Sequence, residues 1–233
     1  MPLGSDTPIA GADGCKHGWV FVYQIDGKLN TMVTTTVREA LHRLPPETVL
    51  AIDIPIGLPK AGDRPCCKQA RQLLQARRSS VFPVPVRACI DARSHDEAKG
   101  MHYRADGRMI SAQAWAIVPK IREVDNLLRS DPSLRQRIYE MHPEVSFCQW
   151  QGEPMKHGKK KLLGYFERET LIDSVWPGER LRLWDKVRRE AGRDDFNDAF
   201  AALWTARRIT DGSVVCLTSP EVDQEGLPMR IVS

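Results

Sequence analysis

Short apolar runs separated by turn residues fill the first part of the chain. Three such runs predict three consecutive strands, at residues 9–13, 19–23 and 29–36. The dipeptide Asp26-Gly27 lies between the second and third runs and favours the positive φ angles of a tight hairpin turn. A fourth run, at residues 49–52, is continuously apolar and indicates a buried strand.

The pattern in the rest of the chain is mostly helical. Apolar residues return at three- and four-residue intervals over residues 111–128, which predicts a long amphipathic helix. Shorter helices are predicted at residues 37–44, 66–78 and 194–209, and short strands at residues 138–141 and 214–217.

The order of these elements predicts an α/β fold. Three consecutive strands are followed by strands that are reached through helices, which favours a mixed five-stranded sheet with helices on both faces. We expect one domain over residues 9–217, with a helical insertion at about residues 55–110. Residues 1–8 and 218–233 are expected to be tails.

The composition is that of a globular domain and does little to select a function. The chain has 233 residues, of which 42% are hydrophobic and 27% are charged, so it can bury a core without help from metals or disulfides. It carries 34 Lys and Arg against 30 Asp and Glu, which gives a net charge of +4. This charge permits nucleic acid as a partner without requiring it.

The cysteines and the hydropathy pattern bear on the cellular compartment. The six cysteines form no CxxC pair and no zinc-binding spacing. The sequence shows neither a signal-peptide pattern nor an apolar run of about 20 residues. These features predict reduced thiols and a cytoplasmic protein that does not enter a membrane.

Four aspartates stand where this fold would bring acidic side chains together. Asp13 and Asp53 end the first and fourth strands, so they meet at one sheet edge if those strands are neighbours. Asp195 and Asp198 are three residues apart in the last helix and therefore share a face. The alternative roles are turn hydrogen bonding for Asp13 and Asp53, and helix capping for Asp195 or its neighbour Asp194.

A compact group of carboxylates indicates a particular chemistry. Such a group is stable at neutral pH only with divalent cations or with raised pKa values. Oxygen ligands suit Mg²⁺ or Mn²⁺, and two such ions can hold the attacking water and the leaving oxygen of a phosphodiester. The acidic residues therefore predict metal-dependent hydrolysis of phosphodiester bonds.

Several motifs, taken together, carry a resemblance to a known family. They are Gly11-Ala12-Asp13-Gly14, Ala51-Ile52-Asp53-Ile54-Pro55, Arg77-Arg78-Ser79-Ser80-Val81-Phe82-Pro83, Glu140-Met141-His142-Pro143-Glu144, Lys159-Lys160 and Asp194-Asp195-Phe196-Asn197-Asp198. Over most of residues 9–210 the chain resembles the predicted nucleases catalogued as domain of unknown function 429. The resemblance implies a ribonuclease H-like fold and a nucleic-acid substrate.

The acidic framework is also similar to that of Holliday-junction resolvases. This resemblance implies that Asp13, Asp53, Asp195 and Asp198 are catalytic and bind two metal ions. Glu140, His142 and Glu144 alternate along the chain, so they face one way on an extended segment. The resemblance makes Glu140 or Glu144 an accessory metal ligand or general base and His142 a proton shuttle, while hydrogen bonding to a loop backbone is the alternative.

Two basic segments are candidates for contacts with phosphate. Arg77, Arg78, Ser79 and Ser80 combine guanidinium groups with hydroxyls, both of which suit phosphate oxygens. The arginines have an alternative role at the end of a helix, where they would favour the helix dipole. Lys159 and Lys160 are the second candidate group, with a solvated charged run as the alternative.

The preferred interpretation is a metal-dependent nuclease that uses Mg²⁺ or Mn²⁺. One alternative is a noncatalytic module on a nuclease scaffold that binds nucleic acid or protein, and another is an ATP-binding protein of the related actin and sugar-kinase fold. The sequence leaves open the choice between DNA and RNA and between a monomer and a homodimer.

Overall fold

A computed structural model describes residues 7–233 of the chain. In this part of the chain seven strands form, five in one sheet and two in a separate ribbon. The strands are β1 (Ile9–Cys15), β2 (Gly18–Ile25), β3 (Lys28–Thr34), β4 (Val49–Ile52), β5 (Ile138–Glu140), β6 (Cys216–Val222) and β7 (Pro228–Val232).

Eight α-helices accompany these strands within the same residues. The helices are α1 (Val37–Arg43), α2 (Pro65–Leu74), α3 (His95–Asp106), α4 (Ala112–Ser130), α5 (Pro143–Gln151), α6 (Leu162–Val175), α7 (Glu179–Val187) and α8 (Arg193–Asp211). Short 3₁₀ turns cover Gln75–Ser80, Arg87–Cys89 and Pro132–Gln136.

The five-stranded sheet is mixed, as the sequence predicts. Its strand order is β3-β2-β1-β4-β5. β2 runs antiparallel to β1 and β3, whereas β4 runs parallel to β1 and β5. The predicted hairpin is confirmed, because Asp26 and Gly27 take φ angles of 49° and 73° between β2 and β3.

Helices cover both faces of the sheet. Side chains alternate along β4, so Val49 and Ala51 enter one core while Leu50 and Ile52 enter the other. Helices α5 to α8 contribute to the first core, and α1 and α4 contribute to the second. The predicted arrangement of helices on both faces is therefore confirmed.

Helix α8 lies unusually close to β1 because of one glycine. A Cβ atom at Gly11 would lie 2.0 Å from the backbone nitrogen of Leu203, so only glycine permits this approach. Ala199, Ala202 and Ala206 are fully buried on the same side of α8. The close approach holds the N-terminal part of α8 over the sheet, next to the ends of β1 and β4.

Two predicted features of the chain differ in the structure. The basic helix predicted at residues 66–78 ends at Leu74, because Gln75 takes a left-handed φ of 47° and a 3₁₀ turn follows. Residues 218–233, predicted to be a tail, belong largely to β6 and β7, and this ribbon packs against α2. Most of the predicted tail at 1–8 lies outside the described residues.

Buried Asp223 holds the C-terminal ribbon in place. Its carboxylate accepts hydrogen bonds from the backbone nitrogens of Leu58 and Leu227, at 3.0 and 2.9 Å. It also pairs with Arg87, which bonds Asp125 of α4 at 2.5 Å. These long-range contacts connect residues 58, 87 and 125 to the ribbon and explain why the C-terminal segment is not a tail.

Candidate functional site

Strands β1 and β4 bring Asp13 and Asp53 together. The two strands pair in parallel register, with Ala12 opposite Ile52. The backbone nitrogen of Asp53 donates to the carbonyl oxygen of Ala12 at 3.0 Å, so each aspartate follows directly after a paired residue. The side chain of Asp13 is 7% exposed, and its Oδ1 accepts from the nitrogen of Gly14 at 2.7 Å.

Helix α8 adds a third aspartate to this edge of the sheet. Asp198 is 1% exposed, and its charge influences the pKa of both Asp13 and Asp53. Asp195 lies one turn earlier and is only half-buried. Its Oδ2 accepts from the backbone nitrogen of Gly192 at 3.2 Å, so this carboxylate satisfies a backbone donor at the start of α8. Asp195 thus has the alternative capping role and stands at the margin of the group.

The loop between α5 and α6 contributes a cation to the group. Nζ of Lys159 donates to Oδ2 of Asp198 at 2.6 Å. The same ammonium interacts electrostatically with Asp13 and Asp53. We call Asp13, Asp53, Asp198 and Lys159 the acidic centre.

The carboxylates of the acidic centre are electrostatically frustrated. Burial and the neighbouring charges of Asp53 and Asp198 raise the pKa of Asp13 well above its usual value. Burial raises the pKa of Asp53 to about 6 although His142 opposes the shift. The pKa of Asp198 is also raised by burial, against the opposing charge of Lys159. One ammonium therefore does not balance three carboxylates.

The acidic centre carries an excess of negative charge, and a divalent cation is chemically suited to balance it. Among residues 7–233 no three acidic, His or Cys side chains already stand in the arrangement of a metal site. In the same residues Oδ1 of Asp198 is buried and lacks a hydrogen-bond partner. Carboxylate oxygens are the ligands that Mg²⁺ and Mn²⁺ prefer. The donor set of the acidic centre therefore fits such an ion.

The acidic centre opens into a cleft of about 530 Å³. The cleft is lined by residues that follow β5, by the Lys159 loop, and by the 3₁₀ turn and the extended segment after α2. The lining includes Asp13, Asp53, Asp198, Lys159, Glu140, His142, Arg77, Ser80 and Phe82. A phosphodiester would have to enter this cleft to reach the aspartates.

Glu140 lines the cleft but is bound to a buried arginine. Its two carboxylate oxygens accept from Nη1 and Nη2 of Arg64, at 2.7 and 2.5 Å. One of them also accepts from the backbone nitrogen of Ile56 at 2.7 Å. Burial raises the pKa of Glu140 to about 7, although Arg64 opposes the shift. Its geometry corresponds to the alternative in which it holds loop backbone.

The predicted phosphate-binding residues divide between two surfaces. Arg77 and Ser80 line the cleft, and Nε of Arg77 lies 3.5 Å from Oε2 of Glu144. Arg78 lines a separate shallow hollow on α2, and exposed Ser79 is not among the lining residues of either. Lys160 is exposed and also lines the cleft. The structure therefore places Arg77, Ser80 and Lys160 in the same cleft as the acidic centre and does not place Arg78 or Ser79 there.

A buried arginine fixes the loop that carries Lys159. Arg168 of α6 is 1% exposed and donates to the carbonyl oxygens of His157 and Gly164, at 3.2 and 2.6 Å. It also pairs with buried Glu144 of α5. A Cβ atom at Gly164 would lie 2.2 Å from the carbonyl oxygen of Gly158, so this glycine allows the loop to fold against α6.

Sequence reasoning missed the roles of Arg64, Arg168 and Lys120. Lys120 of α4 lines the cleft, lies 4.5 Å from the ring centroid of Trp19 and bonds the carbonyl oxygen of Gly18. Arg64 and Arg168 sit in the sequence as ordinary charged residues of a polar segment and a helix. Their carboxylate partners, Glu140 and Glu144, are 76 and 24 residues away in the chain, so no local spacing could have identified these pairs.

Fold and site together define an α/β protein with a buried acidic centre beside the ends of two parallel strands. The chain belongs to the family described as protein of unknown function (DUF429), whose model matches residues 11–223. No curated protein and no solved structure matches the chain. Over residues 7–233 no helix is long and apolar enough to span a bilayer.

Proposed function

We propose that this protein is a metal-dependent nuclease that hydrolyses phosphodiester bonds in nucleic acid. The observation that carries the proposal is the convergence of Asp13, Asp53 and Asp198 from three separate elements into one group, in which Asp13 and Asp198 are buried and Asp53 is half-buried. Carboxylates that raise one another's pKa in a buried site destabilise the folded protein when they are ionised. Binding of a divalent cation would offset this destabilisation.

The strand arrangement supports assignment to the ribonuclease H-like fold. The sheet order is β3-β2-β1-β4-β5 with only β2 antiparallel to its neighbours. Acidic residues near the ends of β1 and β4 and on the last long helix then occupy the positions that the resemblance to Holliday-junction resolvases implies. The assignment rests on topology and on these three positions together.

Asp13, Asp53 and Asp198 would hold Mg²⁺ or Mn²⁺. When bound, such ions activate water and stabilise the leaving oxygen of a phosphodiester. In the absence of other cations, Lys159 provides the positive charge that keeps the three carboxylates together. Asp195 adds negative charge at the margin and caps α8.

Other residues of the cleft would orient the substrate and exchange protons. Arg77 and Lys160 present cationic groups to the phosphate backbone. Nε2 of His142 lies 3.3 Å from the carbonyl oxygen of Ser80, and its buried Nδ1 has no hydrogen-bond partner among the described residues. With Nε2 as the donor, Nδ1 is free to accept a proton close to Asp53.

The experiment is a cleavage assay on labelled DNA and RNA, each single-stranded, double-stranded and branched, with Mg²⁺ or Mn²⁺. We expect cleavage of at least one substrate by the wild type and a loss of at least 100-fold in Asp13→Asn and Asp198→Asn, measured with folding checked by circular dichroism. Asp26→Asn, in the exposed hairpin turn, is the matched control. No cleavage of any substrate, together with no binding of Mn²⁺ by calorimetry, would overturn the proposal.

A second candidate function is binding of nucleic acid without catalysis. The observation that favours it is the Lys159–Asp198 contact, because an internal ammonium already occupies one carboxylate of the centre. In this case binding would weaken with salt, and no cleavage would follow the addition of Mn²⁺. The same substrate panel separates the two functions.

A further inference from the structure

The position of the acidic centre limits the shape of the substrate. Asp198 is 1% exposed and Asp13 is 7% exposed, so both lie at the floor of the cleft and not on an open surface. The cleft volume of about 530 Å³ is in the range of sites that enclose a small ligand. An unpaired nucleotide can follow its phosphate into such a cleft with its base against the wall, whereas the base of a duplex nucleotide stays paired and stacked.

The wall of the cleft offers a surface for a nucleobase. Phe82 is 42% exposed, and it lines the cleft in the extended segment that follows α2. Apolar neighbours extend this surface, namely Ile54, Val81, Pro83, Val84 and Ile117. An exposed aromatic ring beside an apolar wall is suited to stacking against an unpaired base.

Cationic groups accompany the apolar wall. Arg77, Lys160 and Lys161 line the same cleft as Phe82. Lys68 and Arg78 line the separate hollow on α2. The 3₁₀ turn that carries Arg77 follows directly after this helix. Stacking surfaces combined with a basic groove are typical of proteins that bind single-stranded nucleic acid.

We propose that the cleft takes an unpaired strand of nucleic acid, with a base stacked on Phe82 and the adjoining phosphates at Arg77 and Lys160. This inference rests on the proposed function, since it names the substrate class of the same site. Duplex regions would be excluded from the acidic centre, because their bases are already stacked and paired. Unpaired strands, loops and extruded nucleotides would all meet the requirement.

The test measures binding separately from cleavage. Fluorescence anisotropy would compare a labelled single-stranded oligonucleotide with the same sequence in a duplex, using the Asp198→Asn protein with Mn²⁺. We expect the single strand to bind at least about tenfold more tightly, and Phe82→Ala in this background to remove about tenfold of that affinity. Phe82→Trp should retain it. Phe166→Ala is the matched control, because Phe166 is 51% exposed on α6 and is not among the cleft lining.

The outcomes distinguish this inference from the proposed function. Equal binding of duplex and single strand, or equal effects of Phe82→Ala and Phe166→Ala, would overturn the inference, as would no binding of either strand. Preferential binding of the single strand that depends on Phe82, without cleavage by the wild type, would support the inference and contradict the nuclease proposal. Equal cleavage of duplex and single strand by the wild type would support the nuclease proposal and contradict the inference.

Discussion

Nζ of Lys159 lies 2.6 Å from Oδ2 of Asp198, and the ammonium is the cation of the acidic centre. Burial would lower the pKa of Lys159, but Asp198 and Asp13 raise it, so the side chain stays charged. A divalent ion at these carboxylates would have to compete with this ammonium. Lys159 is therefore both a stabilising partner and a competitor.

Replacing Lys159 should separate these two effects. In Lys159→Met the three aspartates lose their counter-charge, so the metal-free protein should melt at a lower temperature. Affinity for Mn²⁺ should rise by about tenfold, because a charge-assisted hydrogen bond no longer competes with the ion. Differential scanning fluorimetry and calorimetry measure the two quantities. Lys156→Met is the control, since Lys156 is exposed and its ammonium lies 3.8 Å from Glu153, outside the acidic centre. Mn²⁺ affinity that is unchanged in Lys159→Met would contradict the competition.

Neutralising Asp13 should stabilise the metal-free protein. The raised pKa of Asp13 means that the folded state prefers the protonated form, so its contribution to stability is lost as pH rises through that pKa. Asp13→Asn keeps an acceptor for the nitrogen of Gly14 and removes the charge. We expect the melting temperature at neutral pH to rise by about 2–4 °C.

The pH dependence of this effect provides its control. The difference between Asp13→Asn and wild type should shrink as pH falls and vanish below about pH 3, where the wild-type carboxyl is protonated in both folded and unfolded states. Added Mn²⁺ should stabilise the wild type more than the variant. A variant that melts below the wild type at neutral pH without metal would show that charge repulsion does not govern this site.

Binding of Mn²⁺ should weaken in mildly acidic solution. The pKa of Asp53 is raised to about 6 by burial, and the ion binds only the ionised carboxylate. We expect the affinity to fall by about tenfold for each pH unit below that pKa when a single proton competes, and more steeply when Asp13 and Asp198 also take up protons. Calorimetric titrations over a pH series measure this. Affinity that stays constant down to about pH 5 would exclude these carboxylates as the ligands.

Glu140 should be needed for stability and not for binding the ion. Glu140→Gln leaves the buried guanidinium of Arg64 without its carboxylate, which should cost about 3–5 kcal/mol of unfolding free energy. Chemical denaturation measures this loss. At a temperature where the variant stays folded, its affinity for Mn²⁺ should match that of the wild type. A large loss of affinity would show that Glu140 is a ligand of the ion.

Cys67 should react as a thiolate. A hydrogen bond from the Cys66 thiol and the charge of Arg64 lower the pKa of Cys67 to about 5, although burial opposes the shift. Nε and Nη2 of Arg64 each lie 3.3 Å from its sulfur, and the residue lines the cleft. Iodoacetamide modification over a pH series, followed by peptide mass spectrometry, should give Cys67 a lower apparent pKa than Cys216, even though burial of Cys67 slows its reaction. A modification rate of Cys67 that begins to rise only at the pH where that of Cys216 rises would contradict this.

The sequence was sufficient to predict the part of the site that depends on regular geometry. Alternating apolar runs identify β1 and β4, and parallel pairing of those strands brings Asp13 and Asp53 together. Helical spacing correctly directs Asp198 towards the sheet, since the small residues that follow it mark the buried face of α8. These relationships follow from the regular repeat of side-chain directions along strands and helices.

The remainder depends on contacts between distant segments. Arg64 and Glu140 are 76 residues apart, and only the folded chain shows that Arg64 occupies both carboxylate oxygens. The position of Lys159 is likewise set by Arg168 and by the close approach at Gly164. At Gln75 neither glycine nor proline signals the end of α2, so the sequence predicts a longer helix.

The central claim is that Asp13, Asp53 and Asp198 form a site for a divalent cation. Anomalous scattering from a crystal soaked in Mn²⁺ tests it most directly. We expect at least one strong peak among these three carboxylates, with Nζ of Lys159 moved away from Asp198. A crystal without any peak in the cleft, in which Lys159 still contacts Asp198, would contradict it.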